Sequence, residues 1–195
     1  MRVLVVYCHP DPGSFTAAVR DRVLCGLAAG SHEVRLTDLY ADGFEPAMTA
    51  AERAAHRDPP EAKSAVAAYA ADLQWCEALV LVYPTWWSGQ PAMLKGWIDR
   101  VWVSGVAWHL PPGSSRIRPL LRNIDRIVAV TTHGSPKRIN ALEGEGGKRV
   151  VTRALRVLCH PLTRTRWIAL YGLDTASFER RTAFLDRVER RLRRP

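Results

Sequence analysis

Three apolar runs of strand length constrain the fold of this chain most strongly. They are Arg2–Tyr7 (RVLVVY), Ala78–Tyr83 (ALVLVY) and Arg126–Thr132 (RIVAVTT), and none of them alternates apolar with polar residues. A strand that is apolar at successive positions is buried on both faces, which is typical of a parallel sheet covered by helices. The runs therefore predict an α/β protein.

The segments between these runs predict helices and two more strands. Ser14 to Gly30 carries apolar residues at helical spacing, with Ser14 as its N-cap and Gly30 at its end. Tyr40–Glu61 and Ser104–Asn123 are rich in turn-forming residues and are predicted to be irregular. The other predicted elements are strands over Glu33–Leu39 and Trp167–Tyr171 and helices over Ala62–Cys76, Ala92–Val103 and Thr175–Arg194. This alternation predicts a three-layer sandwich, with helices on both faces of a doubly wound parallel sheet.

Length and composition set the class of protein. A chain of 195 residues with 47% apolar and 24% charged residues is typical of one globular domain, here residues 1–195. No apolar run reaches the ~18 residues that span a bilayer, and Val3–Val6 is too short for a signal-peptide core. The four cysteines are far apart, which predicts neither a disulfide framework nor a metal site. We expect a cytoplasmic protein without membrane insertion.

The positive charge is concentrated in the last quarter of the chain. Lys148–Pro195 holds 13 Lys and Arg against 4 Asp and Glu, whereas residues 1–147 hold 15 of each sign and balance to zero. A basic terminal helix can follow phosphates, but it is more often a solvated face, and no nucleic-acid-binding motif accompanies it. We therefore expect no nucleic-acid partner.

Three loops follow the three buried strands and are the places to expect a ligand. In doubly wound sheets, ligands bind beyond the carboxyl ends of the strands, where the strand order reverses. The loops are Cys8–Thr16, Pro84–Gln90 and Thr131–Lys137. Each begins where an apolar strand ends, so we expect them to converge on one crevice.

The first two loops suit the two ends of a phosphorylated aromatic ligand. His9, Ser14 and Thr16 precede or open a helix, whose N-terminal N–H groups and dipole favour an anion. The alternative is helix capping by Ser14 alone. In the second loop, Trp86 and Trp87 lie between Pro84 and Gly89 and suit a flat heteroaromatic ring, although they also suit packing or a dimer contact.

The third loop, Thr131-Thr-His-Gly-Ser135, adds hydroxyls, a glycine and a titratable ring. His133 is the side chain here whose charge changes near neutral pH. It could donate a hydrogen bond to a reduced, anionic ring or take part in proton transfer. As a turn residue facing water it would do neither.

Read together, these motifs resemble the NAD(P)H:quinone oxidoreductase family of flavodoxin-like flavoproteins. The resemblance runs from Arg2 to about Ser135. Its most specific part is Tyr83-Pro-Thr-Trp-Trp-Ser-Gly-Gln-Pro91, followed by Leu94-Lys-Gly-Trp-Ile-Asp-Arg-Val101, and it continues in Thr131-Thr-His-Gly134. It implies a flavodoxin-like fold with a five-stranded sheet of order 2-1-3-4-5.

The resemblance also implies a cofactor, an activity and a binding site. The cofactor is FMN, with FAD as the alternative, and the activity is ping-pong hydride transfer from NAD(P)H through flavin N5 to a quinone-like acceptor. A homodimer with its substrate pocket at the subunit interface is implied as well. The flavin phosphate would be held by His9, Ser14, Phe15 and Thr16. The face of its ring would lie against Pro84, Thr85, Trp86, Trp87 and Ser88. Its pyrimidine side would be contacted by Thr131, Thr132, His133 and Gly134.

The sequence departs from the family pattern at the catalytic loop. His133 replaces the first glycine of the usual Thr-Thr-Gly-Gly, and the family's downstream Tyr and His fall on Ile139 and Glu145 in ungapped register. This leaves His133 as the one candidate catalytic side chain. Three alternatives stay open: the same chemistry on a nitro, azo or biosynthetic substrate, a flavin-binding regulatory subunit of a membrane transport system, and a nucleic-acid binder.

Overall fold

A five-stranded parallel sheet forms the centre of the molecule. The computed structural model describes residues 1–57 and 66–195. In chain order the strands in these ranges are β1 (Arg2–Tyr7), β2 (Glu33–Asp38), β3 (Ala78–Pro84), β4 (Trp108–His109), β5 (Arg118–Pro119), β6 (Arg126–His133) and β7 (Arg164–Tyr171). The sheet order is β2-β1-β3-β6-β7, and β4 pairs antiparallel with β5 in a separate hairpin. Since β6 and β7 are the fourth and fifth predicted strands, the expected order 2-1-3-4-5 is confirmed.

Helices cover both faces of this sheet. The described residues contain α1 (Phe15–Ala29), α2 (Ala50–Ala54), α3 (Ala67–Trp75), α4 (Ala92–Val101), α5 (Lys137–Leu142), α6 (Gly146–Arg149) and α7 (Phe178–Leu192). A π-helical turn, Val150–Leu155, continues α6. None of the helices in the described residues is long and apolar enough to cross a membrane.

The alternating side chains of the strands divide the core into two clusters. Val5 and Val80 point to the face covered by α1 and α7, whereas Leu4 and Leu79 point to the face covered by α3 and α4. Gly26 allows α1 to approach α7, because a Cβ there would lie 2.4 Å from the carbonyl oxygen of Glu189. The fold is therefore the predicted three-layer sandwich, with β1 and β3 at its centre.

Several predicted boundaries were wrong. The predicted loop Tyr40–Glu61 contains α2, because Thr49 and Glu52 form a reciprocal capping box that starts a short helix there. The terminal helix begins at Phe178 rather than at Thr175, since Ser177 is its N-cap. Strand β7 begins at Arg164, three residues before the predicted start. Residues 58–65, which include parts of two predicted elements, lie outside the described residues.

Candidate active site

The three predicted loops meet at the carboxyl edge of the sheet. Strands β1, β3 and β6 are neighbours, and the N–H of Cys8 donates to the carbonyl oxygen of Val82 at 3.0 Å. The N–H of Thr85 donates to the carbonyl oxygen of Thr132 at 2.7 Å. The rings of His9 and Trp86 are 6.2 Å apart in a T-shaped arrangement. The order of the strands reverses between β1 and β3, so this edge is also the switch point of the sheet.

Helix α1 presents free donors at its N-terminus. The hydroxyl of Ser14 accepts from the N–H of Ala17 at 3.1 Å and caps the helix, as predicted. The N–H groups of Phe15 and Thr16 have no acceptor within the described residues. Two unpaired N–H groups at the positive end of a 15-residue helix favour an anion. Ser14 therefore both caps the helix and lies beside these donors.

The side chains of this loop contribute unequally. The ring of Phe15 packs 6.3 Å from that of Phe184, so Phe15 offers only its main chain to a ligand. His9 accepts from the N–H of Asp11 through Nδ1 at 3.0 Å. Nδ1 is also 3.1 Å from the carbonyl oxygen of Asp11, so both of its contacts are with this residue, and the half-buried Nε2 has no partner in the described part of the chain.

The second loop contains a strained turn. Trp86 and Gly89 exchange both main-chain hydrogen bonds, at 3.2 and 3.0 Å, and close a two-residue turn. Its central residues, Trp87 and Ser88, have φ values of 47° and 57°. Side chains in this left-handed region cost on the order of 1 kcal/mol each, and such strain is concentrated at functional sites.

Contacts with the segment after α5 hold the turn in place. The hydroxyl of Ser88 donates to the carboxylate of Glu143, and the carbonyl oxygen of Ser88 accepts from the N–H of Gly147 at 2.9 Å. The indole of Trp87 is fully exposed at 102%, whereas Trp86 is exposed at 42%. The fold thus holds a tryptophan in water at the mouth of the crevice, a position in which it gains nothing from burial.

His133 is buried at the end of β6 and has two polar partners. Its Nδ1 is 2.6 Å from Oδ1 of Asn140, and its Nε2 is 3.3 Å from the hydroxyl of Thr85. The amide nitrogen of Asn140 donates to the carbonyl oxygens of Ser135 and Pro136, which orients Oδ1 toward the imidazole. Nδ1 must then carry a proton, and Nε2 of the neutral ring is an acceptor.

The hydroxyls beside His133 form a directed chain. The Thr85 hydroxyl is also 2.9 Å from the hydroxyl of Thr131. Since Thr85 has one proton and gives it to Nε2 of His133, Thr131 donates to Thr85. If His133 gained a proton on Nε2, Thr85 would accept from it and both hydroxyls would reverse. Protonation of His133 is thus coupled to the direction of the hydrogen bonds that the hydroxyls of Thr85 and Thr131 make.

Aromatic rings and carboxylates surround the same imidazole. Tyr171 stacks on His133 with 4.4 Å between ring centroids, and the hydroxyl of Tyr171 donates to Glu145 at 3.0 Å. Burial lowers the pKa of His133, while the hydrogen bond to Asn140 and the charges of Glu145 and Glu143 act in the opposite direction. Because burial is the largest effect, His133 is neutral at neutral pH.

These contacts enclose a cavity of about 250 Å³ at the carboxyl edge. It is lined by Thr85, Trp87, Ser88, His133, Gly134, Ser135, Asn140 and Glu143. The first five were predicted site residues. Thr131, Thr132 and Pro84 are buried where their strands end. The predicted residues His9, Ser14, Phe15, Thr16 and Trp86 do not line this cavity, and His9 is joined to the second loop by its contact with Trp86.

The sequence interpretation missed three functional neighbours. Asn140, Glu143 and Tyr171 contact residues of the predicted loops, yet each belongs to a different part of the chain. Of the three, only Asn140 has a weak signal in the sequence. It lies seven residues after His133, a spacing that fits a strand end followed by a short helix. No group of three or more His, Cys, Asp or Glu in the described residues is arranged to hold a metal.

Comparisons with known proteins agree with this architecture. The family of proteins with a flavodoxin-like fold matches residues 1–192. An Escherichia coli protein named as an uncharacterized NAD(P)H oxidoreductase is 34% identical over 114 residues, 55% of this chain and 55% of that protein. A ribosyldihydronicotinamide dehydrogenase (quinone) of Pongo abelii is 29% identical over 150 residues, 69% of this chain and 64% of that protein.

A solved structure is similar along the whole chain. It is a crystal structure from Streptococcus mutans with a TM-score of 0.84 and 28% identity, and the match covers 100% of both chains. The matched part of this chain spans only 49% to 64% of the lengths of the curated relatives.

Proposed function

The chain belongs to the family of proteins with a flavodoxin-like fold, and from that premise we propose that it is a flavin-dependent NAD(P)H oxidoreductase with a quinone-like acceptor. The observation that carries the proposal is the meeting of three strand-end loops at the carboxyl edge of the sheet. The first loop leads into free N–H donors at the start of α1, and the second and third line a cavity that contains a buried neutral histidine. The names of the relatives from Escherichia coli and Pongo abelii support the same activity.

The donors present fit a flavin phosphate. A terminal phosphate would accept from the N–H groups of Phe15 and Thr16, and the hydroxyls of Ser14 and Thr16 would add donors to the same anion. Nε2–H of His9 would be a further donor. The terminal phosphate of FMN is a dianion, whereas a phosphate within the diester of FAD carries one charge, and for this reason we favour FMN at this helix end.

The ring end of the site fits a flat heteroaromatic group. Thr85, Trp86, Trp87 and Ser88 would lie along its face, backed by the buried Pro84, and Thr131, Thr132, His133 and Gly134 would lie at its pyrimidine side. When bound, flavin supplies hydride transfer between NAD(P)H and an acceptor through N5. The exposed indole of Trp87 would cover one face of the ring and exclude water from it.

We assign His133 a part in proton transfer at this site. Asn140 holds the proton of the neutral ring on Nδ1, so Nε2 can take up a proton from solvent while Thr85 and Thr131 reverse their hydroxyls. That proton would be passed to the acceptor, whose reduction to the hydroquinone level consumes one hydride and one proton. Glu145 reaches His133 through Tyr171 and would stabilise the protonated ring. This arrangement would supply the proton chemistry that the family assigns to groups replaced here by Ile139 and Glu145.

The burial of Cys8 argues against a thiol as the reactive group. Cys8 follows β1 and is fully buried, and this burial raises the pKa of its thiol to about 12. A thiol that is protonated at neutral pH and closed off from solvent is a packing residue. The four described cysteines are all free, which supports a reducing, cytoplasmic location as part of the proposal. A homodimer belongs to the proposal too, because Trp87 is exposed beside the cavity in the single chain.

The decisive experiment releases and identifies a bound chromophore from the purified protein and then titrates the holoprotein anaerobically. We expect FMN, bleaching of its absorbance by NADH or NADPH, and reoxidation by a quinone. A colourless protein that binds neither FMN nor FAD would contradict the proposal. Retained flavin with negligible turnover would favour a regulatory subunit instead.

A further inference from the structure

A second, strongly basic groove lies along the open edge of the sheet. Strand β7 has β6 on one side, and within residues 1–57 and 66–195 no strand pairs with its other side. Two cavities of about 360 and 630 Å³ adjoin there and share Lys137, Ala169, Tyr171 and Arg187 in their linings. We call the two together the edge groove. Its cationic lining includes Lys137, Lys148, Arg166, Arg187, Arg190 and Arg191.

Arginines of α7 build this groove by covering the strand edge. Arg187 donates to the carbonyl oxygen of Ala169 at 3.1 Å, and Arg180 donates to that of Tyr171 at 2.7 Å. These bonds block the pairing of another strand with β7. A guanidinium has five N–H donors, so most of the donors on each arginine stay free. Covering the edge therefore leaves a row of unused cationic donors.

The positive charge of the groove is largely uncompensated. None of the residues that line it is acidic. Lys148 pairs with Glu145 at 2.9 Å, but Lys137, Arg190 and Arg191 form no ion pair with any described residue. Burial and the charges of Arg191 and Arg126 lower the pKa of Arg166, as expected where cations crowd together. An anion bound here would relieve this repulsion.

The size and chemistry of the groove identify the class of anion. Cavities of some 300–1,000 Å³ hold small molecules, and arginine forks match phosphate oxygens in pairs. Trp167 and Tyr171 provide aromatic wall on the smaller cavity. We propose that the edge groove binds a small molecule that carries two or more phosphate groups.

Two sources supply this chemistry. Tyr171 lines the groove and stacks on His133 at 4.4 Å, and the loop 134–137 borders both the groove and the active-site cavity. One source is thus the pyrophosphate of the nicotinamide dinucleotide donor, and this assignment rests on the proposed function. The other is a separate nucleotide or oligophosphate that binds independently of the reaction.

The test measures pyrophosphate binding to the purified full chain by calorimetry at low salt. The variant is Lys137→Gln, Arg190→Gln, Arg191→Gln, because these side chains form no described hydrogen bond or ion pair and their loss should not disturb the fold. The matched control is Arg116→Gln, Arg118→Gln, Arg153→Gln, which removes equal charge from exposed positions outside the groove.

We expect pyrophosphate to bind the wild type and the control alike and the groove variant about tenfold or more weakly, with binding that weakens as salt is added. Undetectable binding to the wild type, or equal weakening in both variants, would overturn the proposal. Tighter binding of a short DNA duplex than of pyrophosphate, lost in the groove variant, would overturn it in favour of a nucleic-acid surface.

A kinetic arm separates the two sources. If the groove holds the donor's phosphates, the groove variant raises KM for NADPH at unchanged kcat, and pyrophosphate competes with NADPH in the wild type. If the groove holds a separate ligand, the groove variant has the same KM for NADPH as the wild type, and pyrophosphate binds the wild type without competing with NADPH. Calorimetry needs no flavin and no turnover, so failure of the proposed function would leave the binding result intact.

Discussion

At the scale of single residues, the properties of His133 depend on groups that are distant in sequence. Burial at the end of β6 lowers its pKa, Asn140 fixes its tautomer, and the charges that face it come from Glu143 and Glu145, the second of which is paired with Lys148. A turn histidine facing water was the alternative from sequence. The structure excludes it, because His133 is only 6% exposed.

The first prediction concerns Asn140→Ala. Loss of the acceptor on Nδ1 removes an interaction that favours the charged ring, so we expect the pKa of His133 to fall further and its two neutral tautomers to coexist. Ring ¹⁵N shifts followed against pH measure both effects. Asn123→Ala is the control, since its amide also donates to two carbonyl oxygens, of Leu73 and Cys76. Unchanged His133 shifts in Asn140→Ala would contradict the assigned role.

The same pKa predicts how stability depends on pH. A histidine whose pKa is lowered on folding contributes stability that is complete above its unfolded value of about 6.5 and is lost as the pH falls below it. The free energy of unfolding should therefore rise with pH across this window, and less steeply in His133→Gln. Chemical denaturation at several pH values checks the difference between the two proteins. If the free energy of unfolding rose equally with pH in the wild type and the variant, His133 would have the same pKa in the folded and unfolded states.

At the scale of elements, continuous apolar runs were the most reliable signal. Strand β1 was predicted to the residue. Strands β3 and β6 each continue one residue further than predicted, because the pairing of the strands extends to Pro84 opposite Thr132 and to His133 opposite Tyr171. Strand β7 was predicted three residues too short, since Arg164 and Arg166 lie on an open edge where charged side chains reach solvent. The edge groove, which Arg166 lines together with arginines of α7, could not be predicted from the sequence either, because it requires α7 to lie against β7.

The candidate site was predictable only where it follows the strands. The rule that ligands bind at strand ends located three loops, and they do meet. It could not place Asn140 or Tyr171, because their contacts depend on how α5 and β7 pack around His133. Helix α2 was not predicted within Tyr40–Glu61, although the capping box of Thr49 and Glu52 is a local sequence signal for the start of a helix.

The N-terminus of α1 allows capping to be separated from phosphate binding. Ser14→Ala removes the cap and should lower the free energy of unfolding by about 1 kcal/mol. Ser14→Asp keeps a good cap but places a carboxylate beside the phosphate donors, so we expect near-native stability and FMN affinity at least about tenfold weaker. Denaturant unfolding and fluorescence titration with FMN measure the two quantities.

The control for this pair is Ser177→Ala, which removes the equivalent cap of α7. It should cost a similar amount of stability and leave FMN affinity unchanged. If Ser14→Asp bound FMN as tightly as the wild type, the phosphate would not lie at this helix end, whatever the outcome of the flavin analysis.

At the scale of the whole molecule, the two candidate binding regions use different parts of the chain. The active-site cavity depends on residues before Lys148, where charge balances to zero, whereas most cations of the edge groove belong to the last 48 residues, which hold the entire excess of +9. The lining of the active-site cavity includes Glu143 and no Lys or Arg, whereas the groove is cationic and suits phosphates. The two regions adjoin at Tyr171, which lines the groove and stacks on His133 of the active-site cavity.

This separation leads to a prediction for stability with ligand. A ligand that binds only the folded chain stabilises it by about 2.7 kcal/mol at a free concentration of 100 times its Kd. For a chain of 195 residues, that amount corresponds to a rise in Tm of roughly 5–10 °C. We expect this rise with FMN for the wild type and for Ser177→Ala. For Ser14→Asp at the same FMN concentration we expect at most about half of it, because an affinity at least about tenfold weaker leaves about 1.4 kcal/mol or less. The shift with FAD should be smaller, because its diester phosphate carries less charge at the end of α1. A larger shift with FAD would contradict the choice of FMN, and no shift with either would contradict flavin binding itself.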